Sequence, residues 1–144
     1  MSQSAWIEIT GNRIVISDLE AFLREAEGGA VNLFVGTTRR VTDDRITVEL
    51  SYECARELAL AELSRIVSEA QSKWPILRVA VVHRTGFVAV GEASVVIGVA
   101  TAHRAESFEA CQFLIDELKK RVPIWKKEVY EDGSTEWVTG STPS

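Results

Sequence analysis

The stretch Leu77–Thr101, LRVAVVHRTGFVAVGEASVVIGVAT, decides the fold class. Its apolar residues fall into three runs of strand length, Leu77 to His83, Phe87 to Val90 and Ala93 to Thr101. Arg84-Thr85-Gly86 reads as a tight turn joining the first two, because glycine accepts the backbone angles a turn demands. The third run carries Val95, Val96, Ile97 and Val99 and reads as a strand buried on both faces.

The pattern changes period on either side of this stretch. From Ser107 to Arg121 the apolar residues Phe108, Cys111, Leu114, Ile115 and Leu118 recur at helical spacing, and Pro123 ends the helix. A tail hairpin follows: Lys127 to Tyr130, a turn at Asp132-Gly133, then Thr135 to Val138. Upstream, a long helix over about residues 53–73 has Leu63, Ile66, Val67 and Ala70 on its buried face. Before it, Val48, Leu50 and Tyr52 alternate with Thr47, Glu49 and Ser51 as in a half-buried strand. The polar segment Thr37 to Arg45 reads as a mobile loop, and Ala30 to Val35 as an apolar strand ending at Gly36. Ser17-Asp18-Leu19-Glu20 has the form of a capping box. It opens a short helix with Leu19, Phe22, Leu23 and Ala26 on one stripe, stopped by Gly28-Gly29. Trp6 to Ile9 alternates as a first strand. Antiparallel hairpins mixed with two long helices point to an α+β sandwich, not a doubly wound sheet. Residues 1–140 read as one domain and residues 141–144 as a disordered tail.

Composition narrows the function. The chain has 144 residues, 46% of them hydrophobic and 26% charged, with a formal net charge of -5. A mildly acidic chain lacks the broad basic surface that nucleic acid requires, so any anion site must gather a few cations locally. Cys54 and Cys111 are distant and show no metal-type spacing; both are assigned to helices, and Cys111 to the core. With two histidines and scattered cysteines, no metal site and no cofactor are expected. GxSxG, HExxH and the Gly-rich dinucleotide fingerprint are absent. No signal peptide and no membrane-length apolar run is seen, so a cytoplasmic protein is expected.

Five of the 16 Lys and Arg residues lie between Lys119 and Glu128. Charge runs usually form a solvated face. Here Lys119 follows Ile115 by one helical turn, at the border of the apolar stripe, where partial desolvation favours a neutral amine. Pro123-Ile124-Trp125 forms a stiff apolar clamp between two groups of cations; even as a core residue, Trp125 would hold Lys126 in a defined position. His103 and Arg104 stand between a buried strand and a helix start, where free backbone N–H groups attract an anion. The alternative is a structural cap at His103 and a surface ion pair at Arg104. Gly36-Thr37-Thr38-Arg39 begins where a strand stops and can wrap a phosphate, though it is not a P-loop. His83-Arg84 is read as structural.

Together, Phe34-Val35-Gly36-Thr37-Thr38-Arg39, Tyr52-Glu53, His83-Arg84-Thr85-Gly86, Val90-Gly91-Glu92, His103-Arg104, Lys119 and Pro123-Ile124-Trp125-Lys126-Lys127-Glu128 resemble the large-subunit family of molybdopterin synthase, MoaE, from about Gly29 to Val138. The resemblance implies an α/β hammerhead-like domain with an antiparallel sheet, two long helices and a small added β subdomain. It implies a sulfurtransferase that converts cyclic pyranopterin monophosphate (precursor Z) to molybdopterin. Two sulfurs would come from the thiocarboxylated C-terminal Gly-Gly of a small ubiquitin-like partner, MoaD-like, in a heterotetramer built on a homodimer. It implies Lys119 and Lys126 as the catalytic pair. Thr37, Thr38, Arg39, His103, Arg104, Lys127 and Glu128 would bind substrate, with His103 and Arg104 reached from the second subunit. Phe34, Pro123, Ile124 and Trp125 would receive the partner's tail. The tail Thr139 to Ser144 departs from the family in having no basic residue, and the loop Val41 to Ile46 carries no family mark. Read from its residues alone, the chain also fits a non-catalytic dimeric module that binds a phosphorylated small ligand.

Overall fold

A computed structural model describes residues 4–42 and 44–139. The decisive stretch forms β5 (Ile76–Arg84), β6 (Gly86–Val88) and β7 (Ala93–Thr101). β5 and β7 pair antiparallel in the centre of a four-stranded sheet, flanked by β1 (Ala5–Thr10), parallel to β5, and by β2 (Ala30–Thr37), antiparallel to β7. Alternation along the two central strands makes two cores. Val79, Val81, Val95, Ile97 and Val99 pack under α2 (Arg56–Lys73) and α3 (Arg104–Arg121). Ala80, Val82, Val96 and Ala100 pack on the other side, against α1 (Ile16–Arg24). At Gly98 a Cβ would stand 2.3 Å from Leu23 Cδ1, so glycine lets α1 press onto the sheet. β7 is buried on both faces, as its composition predicts.

The second sheet runs β3 (Val41–Thr42), β4 (Arg45–Cys54), β8 (Ile124–Tyr130), β9 (Thr135–Thr139), with β6 on the opposite edge of β4 from β8. The Arg84-Thr85-Gly86 turn is therefore not a hairpin. β5 belongs to the first sheet, and the chain crosses at Gly86, φ +79, to pair β6 with β4 in the second. Local sequence marks the turn, but the pairing partner is chosen by distant strands.

Several element limits move for physical reasons. Ser17 does not cap α1: the helix begins at Ile16, no side chain caps it, and Asp18 N–H donates to the Val15 carbonyl instead. α1 ends at Arg24, before Gly28-Gly29, and Glu27 takes the left-handed conformation (φ 56). The two glycines serve a close approach, since Cβ atoms there would lie 2.5 Å from the carbonyl oxygens of Thr101 and Ala102. β2 continues through Gly36 to Thr37. Within the expected loop, β3 folds back onto β4, with Asp44 at φ 65; Asp43 lies outside the described residues. A register irregularity between Thr47 and Glu49 leaves Val48 52% exposed and buries Thr47. Glu53 and Cys54 stay in β4, so Cys54 is not helical and α2 starts at Arg56. α3 starts at Arg104, and Phe108 is 61% exposed, its expected place taken by Ser107 and Ala110. The expected disordered tail, residues 141–144, lies outside the described residues.

Arg121 lies in the cationic run but is not plain solvated charge. It bonds Glu62 and Glu69 of α2 and Glu117 of α3, tying the two helices together.

Candidate active site

The end of β2, the C-terminal turn of α3 and the inner face of the second sheet enclose a groove of about 820 Å³. That size suits a small-molecule substrate. Phe34, Thr37, Thr38 and Arg39 line it from β2 and the residues after it, and Ile115, Leu118 and Lys119 from one face of α3. Strand alternation turns Ile124, Lys126, Glu128 and Tyr130 of β8 inward, opposite Leu50 and Tyr52 of β4. His83, Ser94 and Glu136 complete the wall.

Charged side chains gather in the groove. Half-buried Lys119 has its pKa pulled below the usual lysine value, first by burial and then by the charges of Lys126 and Arg39, against a smaller opposing pull from Asp116. Lys126 Nζ lies 3.7 Å from Glu128 Oε1. Glu128 is only 6% exposed, and Tyr130 Oη donates to its Oε2 at 2.7 Å. Tyr52 sits beside both Ser94 and Glu128, and its phenol is pushed up by burial.

His83 lies edge-on to the Tyr52 ring, with centroids 5.4 Å apart. Its Nδ1 is 2.8 Å from the Arg84 carbonyl, which can only accept, so Nδ1 carries a hydrogen. Burial pushes its pKa down to about 4. The unfolded chain binds this proton near pH 6.5 and the folded chain does not, so folding loses stability as pH falls from about 6.5 toward 4. A depression of that size corresponds to roughly 3 kcal/mol. Urea unfolding at neutral pH and at pH 4.5 is expected to show this loss, and His83→Gln to show a shallower one over the same interval. Equal slopes for the two proteins would rule out His83 as the cause.

Of the residues singled out in the sequence, Phe34, Thr37, Thr38, Arg39, Lys119, Ile124, Lys126 and Glu128 come together here. Thr38 is already engaged: its hydroxyl donates to the Ala89 carbonyl at 2.7 Å and accepts from Gly91 N–H at 2.9 Å, which shapes the groove wall. Lys127 does not line the groove. It points to the outer face of β8, with its ammonium 5.9 Å from the Trp137 ring centroid. Pro123 and Trp125 also lie outside the lining; Trp125 is 41% exposed and so is not core, whereas Ile124 is buried and lines the groove. His103 and Arg104 sit exposed at the opposite end of α3, about 22 Å from Lys119 along the helix. His103 is the N-cap residue, without a side-chain cap bond. Arg45, Tyr52, Tyr130 and Glu136 line the groove without having been assigned a role from sequence, and His83, read there as structural, lines it too. The period-two spacing Lys126, Glu128, Tyr130 contained the signal for Tyr130, and the same spacing excludes Lys127.

Among the described residues, no three His, Cys, Asp or Glu side chains are placed to hold a metal ion, and no helix is long and apolar enough to cross a membrane.

The family model described as MoaE protein matches residues 9–121. The chain belongs to the MoaE family. Consistent with that membership, it is 44% identical over 131 residues to the molybdopterin synthase catalytic subunit of Bos taurus, covering 91% of this chain and 69% of that protein. The crystal structure of molybdopterin synthase from Staphylococcus aureus superposes with a TM-score of 0.85 at 34% identity, over 90% of this chain and 94% of that one. A MoaE-like fold also recurs, at 21% identity and a TM-score of 0.73, in a complex of subunits 1 and 2 of molybdopterin-converting factor from Helicobacter pylori, covering 99% of this chain and 93% of that one. The α+β hammerhead expected from the MoaE resemblance is the fold these neighbours share.

Proposed function

We propose that this MoaE chain is the catalytic subunit of a molybdopterin synthase, a sulfurtransferase that converts cyclic pyranopterin monophosphate to molybdopterin in molybdenum cofactor biosynthesis. The observation that carries the reading is the convergence of Lys119, its pKa lowered, with Lys126 and Arg39 in one groove of a MoaE-family chain. The relatives' description as a catalytic subunit presupposes another subunit, and the Helicobacter pylori complex contains two. The partner proposed here is a small ubiquitin-like carrier ending in Gly-Gly and bearing a terminal thiocarboxylate. The large subunits pair in a heterotetramer, residues 1–140 act as one unit, and the setting is cytoplasmic.

The chemistry follows from the groups present. The carrier's thiocarboxylate sulfur bonds to a substrate carbon as a carbon–oxygen bond at that carbon breaks and the oxygen leaves with a proton, which makes a thioester between carrier and pterin. Water then adds to the thioester carbonyl. The carbon–sulfur bond on the carrier side breaks, which leaves a carboxylate on the carrier and a thiol on the pterin. A second carrier repeats the cycle for the second sulfur. Lys119, poised to be neutral, takes the proton from the attacking water and returns it to the departing sulfur. Lys126 steadies the oxyanion of the tetrahedral intermediate. Arg39 and Thr37 hold the phosphate with His103 and Arg104 of a second subunit. Phe34 and Ile124 flank the carrier's tail, whose extended backbone suits a cleft beside a strand.

The test is reconstitution with a thiocarboxylated carrier and cyclic pyranopterin monophosphate. Molybdopterin should form, and mass spectrometry should find oxygen in place of sulfur at the carrier's C-terminus. Binding of the pterin with its return unchanged would instead identify a sensor on the same fold.

A further inference from the structure

β8 and β9 set Glu128 directly opposite Glu136, and Tyr130 lies two residues beyond Glu128 on the same face. The Tyr130 hydroxyl oxygen stands 2.7 Å from Glu128 Oε2 and 2.9 Å from Glu136 Oε2. Two facing carboxylates repel, and a phenol has one proton to give, to one of them at a time. Arg45 biases that choice. Its guanidinium lies 3.5 Å from the Tyr130 ring centroid and 3.3 Å from Glu136 Oε2, and it also bonds Ser134 at 2.8 Å. Glu136 is thereby compensated from outside, and the phenol proton is left for Glu128. Burial and the two glutamates raise the Tyr130 pKa, so the phenol keeps that proton. The other oxygen of Glu128, Oε1, is the one 3.7 Å from Lys126 Nζ.

We propose that Tyr130 is a positioning residue for sulfur transfer: by fixing one oxygen of Glu128, with Arg45 and Glu136 behind it, it holds the other oxygen against Lys126 and so aims the Lys126 ammonium into the groove. This rests on the reading that Lys126 acts in turnover. Without the hydroxyl, Glu128 faces Glu136 with no donor between them and turns away, and Lys126 loses its guide. Substrate binding by Arg39 and Thr37 is untouched, so the loss falls on kcat and not on KM.

The experiment compares Tyr130→Phe, Tyr130→Phe/Glu136→Gln and Lys126→Ala in the synthase reconstituted with thiocarboxylated carrier. Tyr130→Phe is expected to lower kcat about tenfold, with KM for cyclic pyranopterin monophosphate within about twofold of wild type. The double variant should recover much of that kcat, because glutamine removes the repelling charge and offers an N–H to Glu128. A role confined to packing predicts no such recovery. Wild-type kcat in Tyr130→Phe, or a double variant no faster than the single one, would overturn the proposal. Wild-type kcat in Lys126→Ala would instead overturn the functional reading beneath it. Should Tyr130→Phe not fold, Arg45→Leu carries the test: a lower kcat at constant KM supports the role, and an unchanged kcat refutes it.

Discussion

Lys119→Ala yields a folded protein whose kcat is at least about a hundredfold below wild type, the range lost when a positioned acid–base group is removed. The fold should survive, because Lys119 borders the core without filling it, whereas neighbouring Leu118 and Leu114 are buried. Circular dichroism and the melting temperature report the fold, and single-turnover conversion of cyclic pyranopterin monophosphate reports the chemistry. The pH dependence gives the sharper check. In the proposed mechanism Lys119 acts as the neutral amine, so kcat should rise with pH through its pKa, which burial, Lys126 and Arg39 hold below the ordinary 10.5. Arg39→Gln removes a cation, raises that pKa and moves the rising limb to higher pH. Asp116→Asn removes an opposing anion and moves the limb to lower pH. Shifts of the same sign in the two variants would exclude Lys119 as the group that titrates.

Mixing Lys119→Ala with Arg104→Ala subunits restores activity that neither variant has alone. Within one chain the two residues are separated by most of α3, about 22 Å, too far for both to touch one pterin phosphate. If the groove of one subunit is completed by the helix start of the other, a mixed dimer contains one site with both lesions and one with neither. Random reassortment of equal amounts then returns about one quarter of wild-type activity. The rate is measured after co-refolding the two variants, with each refolded alone as reference. No activity above the two references would mean that Arg104 and Lys119 serve the same subunit's site or that Arg104 does not bind substrate.

The parts legible in the sequence were those governed by short-range periodicity. Val79, Val81, Val95, Ile97 and Val99 alternate with Ala80, Val82, Val96 and Ala100, and that pattern requires a strand pair covered on both faces. Leu63, Ile66, Val67 and Ala70 lie on one side of α2 as their spacing demands. The position of Lys119, one turn after Ile115, already told that its amine would be partly desolvated, and its lowered pKa follows. The single-turn errors also have a local cause. Ser17 lost the cap to a backbone bond, and Phe108 faces outward because the buried stripe of α3 runs through Ser107, Ala110, Cys111, Leu114 and Leu118, beside position 108.

The sequence by itself determined the long strands, the helices to within a few residues and the chemical types available to the site: an amine at the edge of a core, a second amine in a strand, an arginine after a strand end. Which side chains meet was decided only by the tertiary structure. β6 leaves β5 for β4, β8 inserts between β4 and β9, and these pairings join residues up to 91 positions apart, such as Arg45 and Glu136. They also divide Lys126 from Lys127, neighbours in sequence that strand alternation sends to opposite faces. Strand pairing is a contest among many edges with similar hydrogen-bonding capacity, and burial of the whole set of apolar faces resolves it. No local window contains that information.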